Sequence, residues 1–323
     1  MIFIPNDKPF VSFYRLRARG FLNAVSGRRD FEGALVRLAN GFGCLHPWPE
    51  LGDPPLARCL ADLAGPRQRS LVRRALRCVQ YDAAAREHEE SLFEEMEVPP
   101  SHATLSAPDP LALDAAVAAG FTVVKLKCAG EARTEAAFLT AMAGEYPALR
   151  WRLDFNESAT AAGAAAFLTN LPMAVRRALD FVEDPCPYVE SEWLELRRLT
   201  GVCLAVDREA GPQTPAAKVL VVKPAVDEPL PLVEAALRHR QRVIVTSYMD
   251  HPLGQTFAAW EAARMGLQYP GLPGVCGLQT HHLFEPDAFT ELLGPWTPAF
   301  RPPPGTGLGF DDLLESLTWT QNY

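Results

Sequence analysis

Five short apolar runs in this chain end in residues that can carry charge: Val123-Val124-Lys125-Leu126-Lys127, Trp151-Arg152-Leu153-Asp154-Phe155-Asn156, Phe181-Val182-Glu183-Asp184-Pro185, Leu204-Ala205-Val206-Asp207 and Val221-Val222-Lys223-Pro224. The two-residue period of a strand puts Lys125 and Lys127 on one face, and likewise Arg152, Asp154 and Asn156. Asp154, Glu183 and Asp207 come from three successive runs, so their convergence would leave strong repulsion unless a cation lay among them. Oxygen donors without His or Cys suit Mg²⁺, or Mn²⁺ in its place, and such an ion keeps positions open for water and a substrate carboxylate. A lysine beside a divalent cation and a second lysine has its pKa drawn down from about 10.4 toward neutrality, which makes a usable general base. Lys127 and Lys223, on opposite sides of such a metal, could act on one bound carbon.

Groups so far apart in sequence meet only if the runs are strands with converging ends. The pattern predicts strands at Ala103–Leu105, Val123–Lys127, Arg150–Asp154, 181–183, 204–207, 219–223, 243–246 and 277–278, with helices at 132–146, 158–171, 190–199, 230–240 and 253–265. Repeated βα units imply a parallel sheet, and about eight of them a closed barrel, whose C-terminal strand ends gather at one mouth. No GxGxxG follows a strand, which argues against dinucleotide binding. Up to Leu45 the chain is strand-like, with turns at Ser26-Gly27 and Asn40-Gly41, and 55–90 suits helices. That is an α+β unit, and Pro99-Pro100 stiffens the chain where it ends. The expected division is 1–98, 99–292 and a turn-rich tail, 293–323, returning to the first unit.

The net charge of −8 argues against nucleic acid as a partner, since a phosphate backbone selects basic surfaces. The basic cluster at 67–77 reads as a solvated helix face, because Leu71, Val72, Ala75 and Leu76 interleave at helical spacing. Apolar residues make up 48% and no run approaches a membrane span. With no secretory leader in the first residues, the cytoplasm is the expected location. Seven cysteines without a CxxC pair read as buried reduced thiols. His251, His281 and His282 lack ligand spacing and suit loop or capping roles, and Asp109, Asp114 and Asp250 read as structural.

The ordered set of Lys125-x-Lys127, Asp154-x-Asn156, Glu183-Asp184-Pro185, Asp207 and Lys223-Pro224 resembles the muconate-lactonizing branch of the enolase superfamily. Arg152-Leu153-Asp154, Val245-Thr246-Ser247-Tyr248-Met249-Asp250 and Pro273-Gly274-Val275-Cys276-Gly277-Leu278-Gln279-Thr280 are similar, within that branch, to the o-succinylbenzoate synthase family. The resemblance implies a modified (β/α)₇β TIM-like barrel of class α/β, with an N-terminal α+β capping domain completed by the C-terminal tail. It implies a Mg²⁺-dependent lyase acting on a small-molecule carboxylate, the syn dehydration of 2-succinyl-6-hydroxy-2,4-cyclohexadiene-1-carboxylate in menaquinone or phylloquinone biosynthesis. Asp154, Glu183 and Asp207 would be metal ligands, Lys127 the base and then the acid, Lys223 the stabilising cation and Lys125 its assistant on Lys127. Arg152, Asn156, Ser247 and Gly277 are candidate substrate contacts, and 21–26 would cover the succinyl arm. Arg208 stands before Glu209 where the family has Asp-Glu, and Gly43-Cys44 replaces Gly-Glu. An N-acylamino acid racemase or dipeptide epimerase would use the same two lysines, and outside enzymes the rival is a metal-binding pseudoenzyme scaffold.

Overall fold

The computed structural model describes residues 8–22, 26–63, 65, 68–128, 130–207 and 214–321. The first 45 residues contain β1 (Phe10–Arg17), β2 (Asp30–Leu38) and β3 (Gly41–Leu45), an antiparallel sheet in that order. Leu38 pairs with Gly41, so the second hairpin is a tight two-residue turn, and Ala39 takes the positive φ that it needs. A 3₁₀ turn (Pro49–Leu51), α1 (Leu56–Leu63) and α2 (Ser70–Glu87) follow. Helix α2 lies directly on β3: a Cβ at Gly41 or Gly43 would come within 2.3 Å of the Val79 carbonyl or 2.5 Å of the Ala75 carbonyl. Glycine is therefore required by close approach at both positions. Leu71, Val72, Ala75, Leu76 and Val79 of α2 share a core with Phe31, Val36, Leu45 and Trp48.

The second sheet is parallel and runs in sequence order through β4 (Ala103–Leu105), β5 (Val123–Lys127), β6 (Arg150–Asp154), β7 (Leu179–Glu183), β8 (Leu204–Val206), β9 (Val219–Val222) and β10 (Arg242–Val245). Between them lie α3 (Pro110–Ala118), α4 (Ala132–Glu145), α5 (Ala161–Asn170), α6 (Met173–Ala178), α7 (Glu190–Thr200) and α8 (Pro229–Arg238), and α9 (Pro252–Gln268) follows β10. The strand expected at 277–278 is reduced to two parallel bridges, Thr246 with Gly277 and Ser101 with Cys276, which carry the sheet from β10 round to the residues before β4. Pro273 and Gly274 before it and a 3₁₀ turn (His281–Leu283) after it leave no room for more. Helix α6 was not expected, and it exists because Pro172 ends α5 and starts a new turn.

Strand alternation sorts the side chains. Leu126, Leu153, Val182, Leu220, Val222 and Val245 face the helices and belong to the large core, while Phe181, Ala205, Val219, Val221 and Ile244 form a separate apolar cluster. One two-residue step beyond Phe181, Ala205 and Val221 come Glu183, Asp207 and Lys223. The small cluster is thus the floor of the barrel mouth.

The tail, with α10 (Ala288–Leu293) and α11 (Asp311–Ser316), returns to the first sheet. Thr320 bridges Val11 on the β1 edge, and Asp82 of α2 accepts the Leu308 amide at 2.7 Å and the Phe42 amide at 2.8 Å. Arg86 adds bonds to Asp82, Asp311 and the Gly309 carbonyl. The basic stretch of α2 is not wholly solvated, because α2 lies between the sheet and α9: Arg74 is buried and paired with Glu261. All seven cysteines are free thiols, and no helix among the described residues is long and apolar enough to cross a membrane. Asp82→Ala leaves Arg86 its bonds to Asp311 and the Gly309 carbonyl but removes the acceptor of two buried amides, so we expect a loss of roughly 1–3 kcal/mol for each, read as a lower thermal midpoint. An unchanged midpoint would show that the tail is held without Asp82.

Candidate active site

Strand register brings the predicted charges together. Lys127 pairs in register with Asp154, and Asp154 with Glu183, across β5, β6 and β7. Lys125 Nζ lies 2.6 Å from Glu183 Oε1 and 2.8 Å from Asp154 Oδ2, and Lys127 Nζ is 2.5 Å from the same Asp154 oxygen. Lys223 pairs with Asp207 at the end of β8. Asp154 and Glu183 are at most 1% exposed, and Lys125 and Lys127 about as buried at 5% and 6%, so these charges exist only because each has a partner.

The two lysines assigned to opposite faces are pushed in opposite directions. Burial lowers the pKa of Lys127; Asp154 opposes this, but Lys125 and Lys223 add to the depression and the net is below an ordinary lysine. Burial also works against the Lys223 ammonium, but Asp207 and Glu183 outweigh it and hold its pKa high. Lys125 is likewise held protonated against burial by Asp154, Glu183 and Asp207. Burial works against ionised Asp154 too, but Lys125 and Lys127 keep it well below the usual carboxylate range. Glu183 is pushed up to about 7, first by burial and then by Asp154.

Among the described residues no three His, Cys, Asp or Glu side chains converge as a ready metal cage; lysines neutralise the acids instead. The donor set fits a hard divalent ion all the same. All three candidate ligands offer oxygen, and Glu183 Oε2 is buried without a hydrogen-bond partner, an acceptor that a cation would satisfy.

A cavity of about 380 Å³ opens on the charged layer and is lined by Lys127, Asn156, Glu157, Asp207, Lys223, Val226, Asp227, Tyr248 and Met249, with Leu51, Gly52, Asp53 and Ser70 from the N-terminal unit. A larger groove of about 860 Å³ between α5 and α7 touches none of the lysines or Asp154, Glu183 and Asp207. Asn156, Glu157, Asp184 and Met249, all at the mouth, have positive φ, at roughly 1–2 kcal/mol each. Strain of this kind gathers where geometry is fixed by function.

Of the four candidate substrate contacts, Asn156 borders the cavity and its Oδ1 is buried without a partner. Arg152 lies beneath, donating to Asp180 at 2.8 Å, to the Val275 carbonyl at 2.8 Å and bonded to His102 Nδ1 at 2.7 Å. Ser247 bonds Thr280 at 2.7 Å, and Gly277 packs under His102 and Thr246. His251 caps α9 and Asp109 caps α3. In the stretch 21–26, residues 23–25 lie outside the described residues, as do Arg208 and Glu209. The described part of that stretch does not line the cavity, but Ser26 and Arg28 bond Glu50 beside the lining residue Leu51.

Sequence reading missed Asp53 and Tyr248. Asp53 Oδ2 accepts the Tyr248 hydroxyl at 2.9 Å and the Trp48 amide at 2.9 Å, while Trp48 Nε1 donates to the Tyr248 carbonyl at 2.9 Å. Lys223 Nζ stands 5.8 Å from the Tyr248 ring. An Asp-Pro in a loop reads only as a turn, and nothing local marks Asp53 as the partner of a residue some two hundred positions away.

A family model for the N-terminal domain of O-succinylbenzoate synthase matches residues 9–85, and one described as enolase C-terminal domain-like matches residues 111–227. The chain is 33% identical to an o-succinylbenzoate synthase of Bdellovibrio bacteriovorus over 95% of its own length and 96% of that protein's. It is 30% identical to one of Thermobifida fusca, over 82% of this chain and 79% of the relative. Among solved structures, a dipeptide epimerase from Enterococcus faecalis complexed with Mg and L-Leu-L-Tyr superposes with a TM-score of 0.79 at 15% identity, covering 94% of this chain and 98% of that one. Muconate lactonizing enzyme from Pseudomonas fluorescens gives 0.77 at 15% identity, with 94% and 95% covered. At such identities the likeness is one of fold.

Gly277→Ala would place a Cβ 2.6 Å from His102 Cε1 and 2.9 Å from Thr246 Cγ2. We expect a stability loss of about 1–3 kcal/mol from overpacking, together with reduced turnover as His102 and Arg152 shift beneath Lys125. Parent-like melting and turnover would show that the ring moves aside freely.

Proposed function

The chain belongs to the o-succinylbenzoate synthase family of the enolase superfamily, and from that premise we propose how its own residues carry out the dehydration. The substrate is 2-succinyl-6-hydroxy-2,4-cyclohexadiene-1-carboxylate and the product o-succinylbenzoate, on the way to menaquinone. Neutral Lys127 removes the proton α to the carboxylate. The resulting ammonium then gives that proton to the hydroxyl leaving from the same face, so water departs and the ring becomes aromatic. Aromatisation supplies much of the driving force, and the protein's task is to make the first proton transfer fast. Lys223 remains protonated and stabilises the negative charge that develops on the carboxylate. Lys125, a cation shared between Asp154 and Glu183, keeps Lys127 neutral enough to act.

Asp154, Glu183 and Asp207 would hold a divalent ion, Mg²⁺ or Mn²⁺, which supplies Lewis-acid stabilisation of a carboxylate being deprotonated beside it. Asn156 is the candidate for direct substrate contact. Arg152, Ser247 and Gly277 would act from beneath or beside the cavity, by holding the strand ends. Division into a cap (1–98), a barrel (99–292) and a returning tail (293–323), and a cytoplasmic location, belong to the same proposal. The break between the two sheets and the tail's bonds to α2 and β1 support the division.

The observation that carries the mechanism is geometric: Lys127 and Lys223 line one cavity, Lys127 against Asp154 and Lys223 against Asp207, and their pKa values are displaced in opposite directions. One is prepared to be a base and the other to stay a cation. The test is loss of diene absorbance from the named substrate with and without Mg²⁺. Turnover should require the metal, and should fall by about 10²–10⁴-fold in Lys127→Ala and by about 10²–10³-fold in Lys223→Ala. No turnover by folded, metal-loaded protein, with α-deuterium exchange on N-succinylamino acids instead, would move the assignment to a racemase.

Lys125→Met tests the pKa argument. Removing a neighbouring positive charge favours protonated Lys127, so its pKa rises and the base becomes available only at higher pH. The acidic limb of the kcat/KM profile should therefore move to higher pH; a limb that stays put, at whatever rate, would separate Lys125 from the tuning of Lys127.

A further inference from the structure

Arg74 is a fully charged side chain 2% exposed, in the N-terminal unit yet bonded almost entirely to the barrel. Its Nε donates to the Pro224 carbonyl at 2.8 Å, Nη1 to Glu228 at 3.0 Å and Nη2 to Glu261 at 2.5 Å. Glu261 also pairs with Arg264, so the ion pair by itself would hold α2 against α9. The bond to Pro224 does something different. Pro224 follows Lys223 directly and has no N–H, so its carbonyl is the only backbone hydrogen-bonding group it offers.

The other groups of that turn are already committed. The Lys223 amide donates to Asp227 Oδ2 at 2.7 Å, and the Lys223 carbonyl accepts the Val226 and Asp227 amides at 2.9 and 2.8 Å. The proline ring restricts the backbone of Lys223 itself to extended conformations. The Arg74 bond closes this set from outside. Ser70, one helical turn earlier on the same face of α2, lines the active-site cavity, so one helix face supplies both a cavity wall and the grip on the lysine's turn.

We propose that Arg74 is a positioning residue for Lys223, fixing the Pro224 carbonyl from α2 so that the docked N-terminal unit sets where the lysine's ammonium lies. The inference rests on the role given to Lys223 above. An arginine is needed because three acceptors in three directions, one of them a carbonyl, match the guanidinium fork and not a lysine point charge.

The experiment compares Arg74→Lys and Arg74→Gln with Asp82→Ala, a substitution in the same helix that weakens the fold away from Lys223. Thermal midpoints and kcat and KM per folded enzyme are measured with the metal-loaded full chain. Both Arg74 variants should lose kcat by about tenfold to a hundredfold, the scale of a small misplacement of a reacting group, with KM within about twofold of the parent. Asp82→Ala should keep parental kcat at a comparable loss of midpoint. Having two Arg74 variants leaves the test standing if one fails to fold. Parental kcat in either folded Arg74 variant, or kcat falling with midpoint alike in all three, would overturn the inference. Lys223→Ala separates the two readings: if it keeps full activity, the role of Lys223 falls and this inference with it, whereas if it is impaired while Arg74→Lys matches the parent, this inference alone falls.

Discussion

Buried charge is tolerated only where it is paired, and this constraint organises the molecule. Three carboxylates at the ends of β6, β7 and β8 and three lysines at the ends of β5 and β9 occupy neighbouring inward positions. None could be removed from water alone without a penalty of several kcal/mol. The parallel sheet meets the condition by register: Lys127 opposite Asp154 and Asp154 opposite Glu183. The apolar floor of Phe181, Ala205, Val219, Val221 and Ile244 keeps water from below, which raises the stakes of each pairing. Glu183 has one oxygen unpartnered and its pKa pushed up to about 7, first by burial and then by Asp154, so it is the least compensated acid of the layer.

The N-terminal unit matters because a barrel mouth alone is open to solvent. Asp53 and Trp48 clasp Tyr248 from above, Glu50 gathers Ser26 and Arg28, and Arg74 reaches down to the turn after Lys223. The Tyr248 and Arg74 contacts join the first sheet's side of the molecule to the barrel mouth, and the Glu50 contacts brace the N-terminal unit beside Leu51, which lines the cavity. The tail completes the arrangement by filling the acceptors of Asp82 and adding a bridge to the β1 edge. A closed, low-dielectric cavity strengthens every electrostatic interaction within it, so roof and charged layer are parts of one device.

Much of this was legible in the sequence because the strands obey a two-residue period and end in charge. The run ending Lys125-Leu126-Lys127 gives both the strand and its inward face. Depth was not legible. Arg152 and Asp154 share a face and differ only by one step, yet that step puts Asp154 in the charged layer and Arg152 among Asp180, His102 and Val275 below it. Contacts between distant segments were equally hidden: Arg74 belongs to a helical pattern that reads as solvated, because no local periodicity records that α9 brings Glu261 against it. The last barrel position was legible in place but not in extent: the strand read at 277–278 is present as two bridges, at 276 and 277, which close the ring without a full strand.

The division of labour proposed for the lysines rests on how many acids each can call its own. Lys125 touches two carboxylates and Lys223 has Asp207, whereas Lys127 shares with Lys125 the one oxygen of Asp154 that it reaches. Asp154 cannot neutralise two ammonium groups at once, and Lys127, buried, flanked by Lys125 and within the field of Lys223, has its pKa lowered. Two lysines spaced by one residue on a strand, opposite a single aspartate, leave the outer one without a carboxylate of its own, which suits it to the proposed role of base. The third arrives from the far side of the acids with a carboxylate of its own, which suits it to the proposed role of cation.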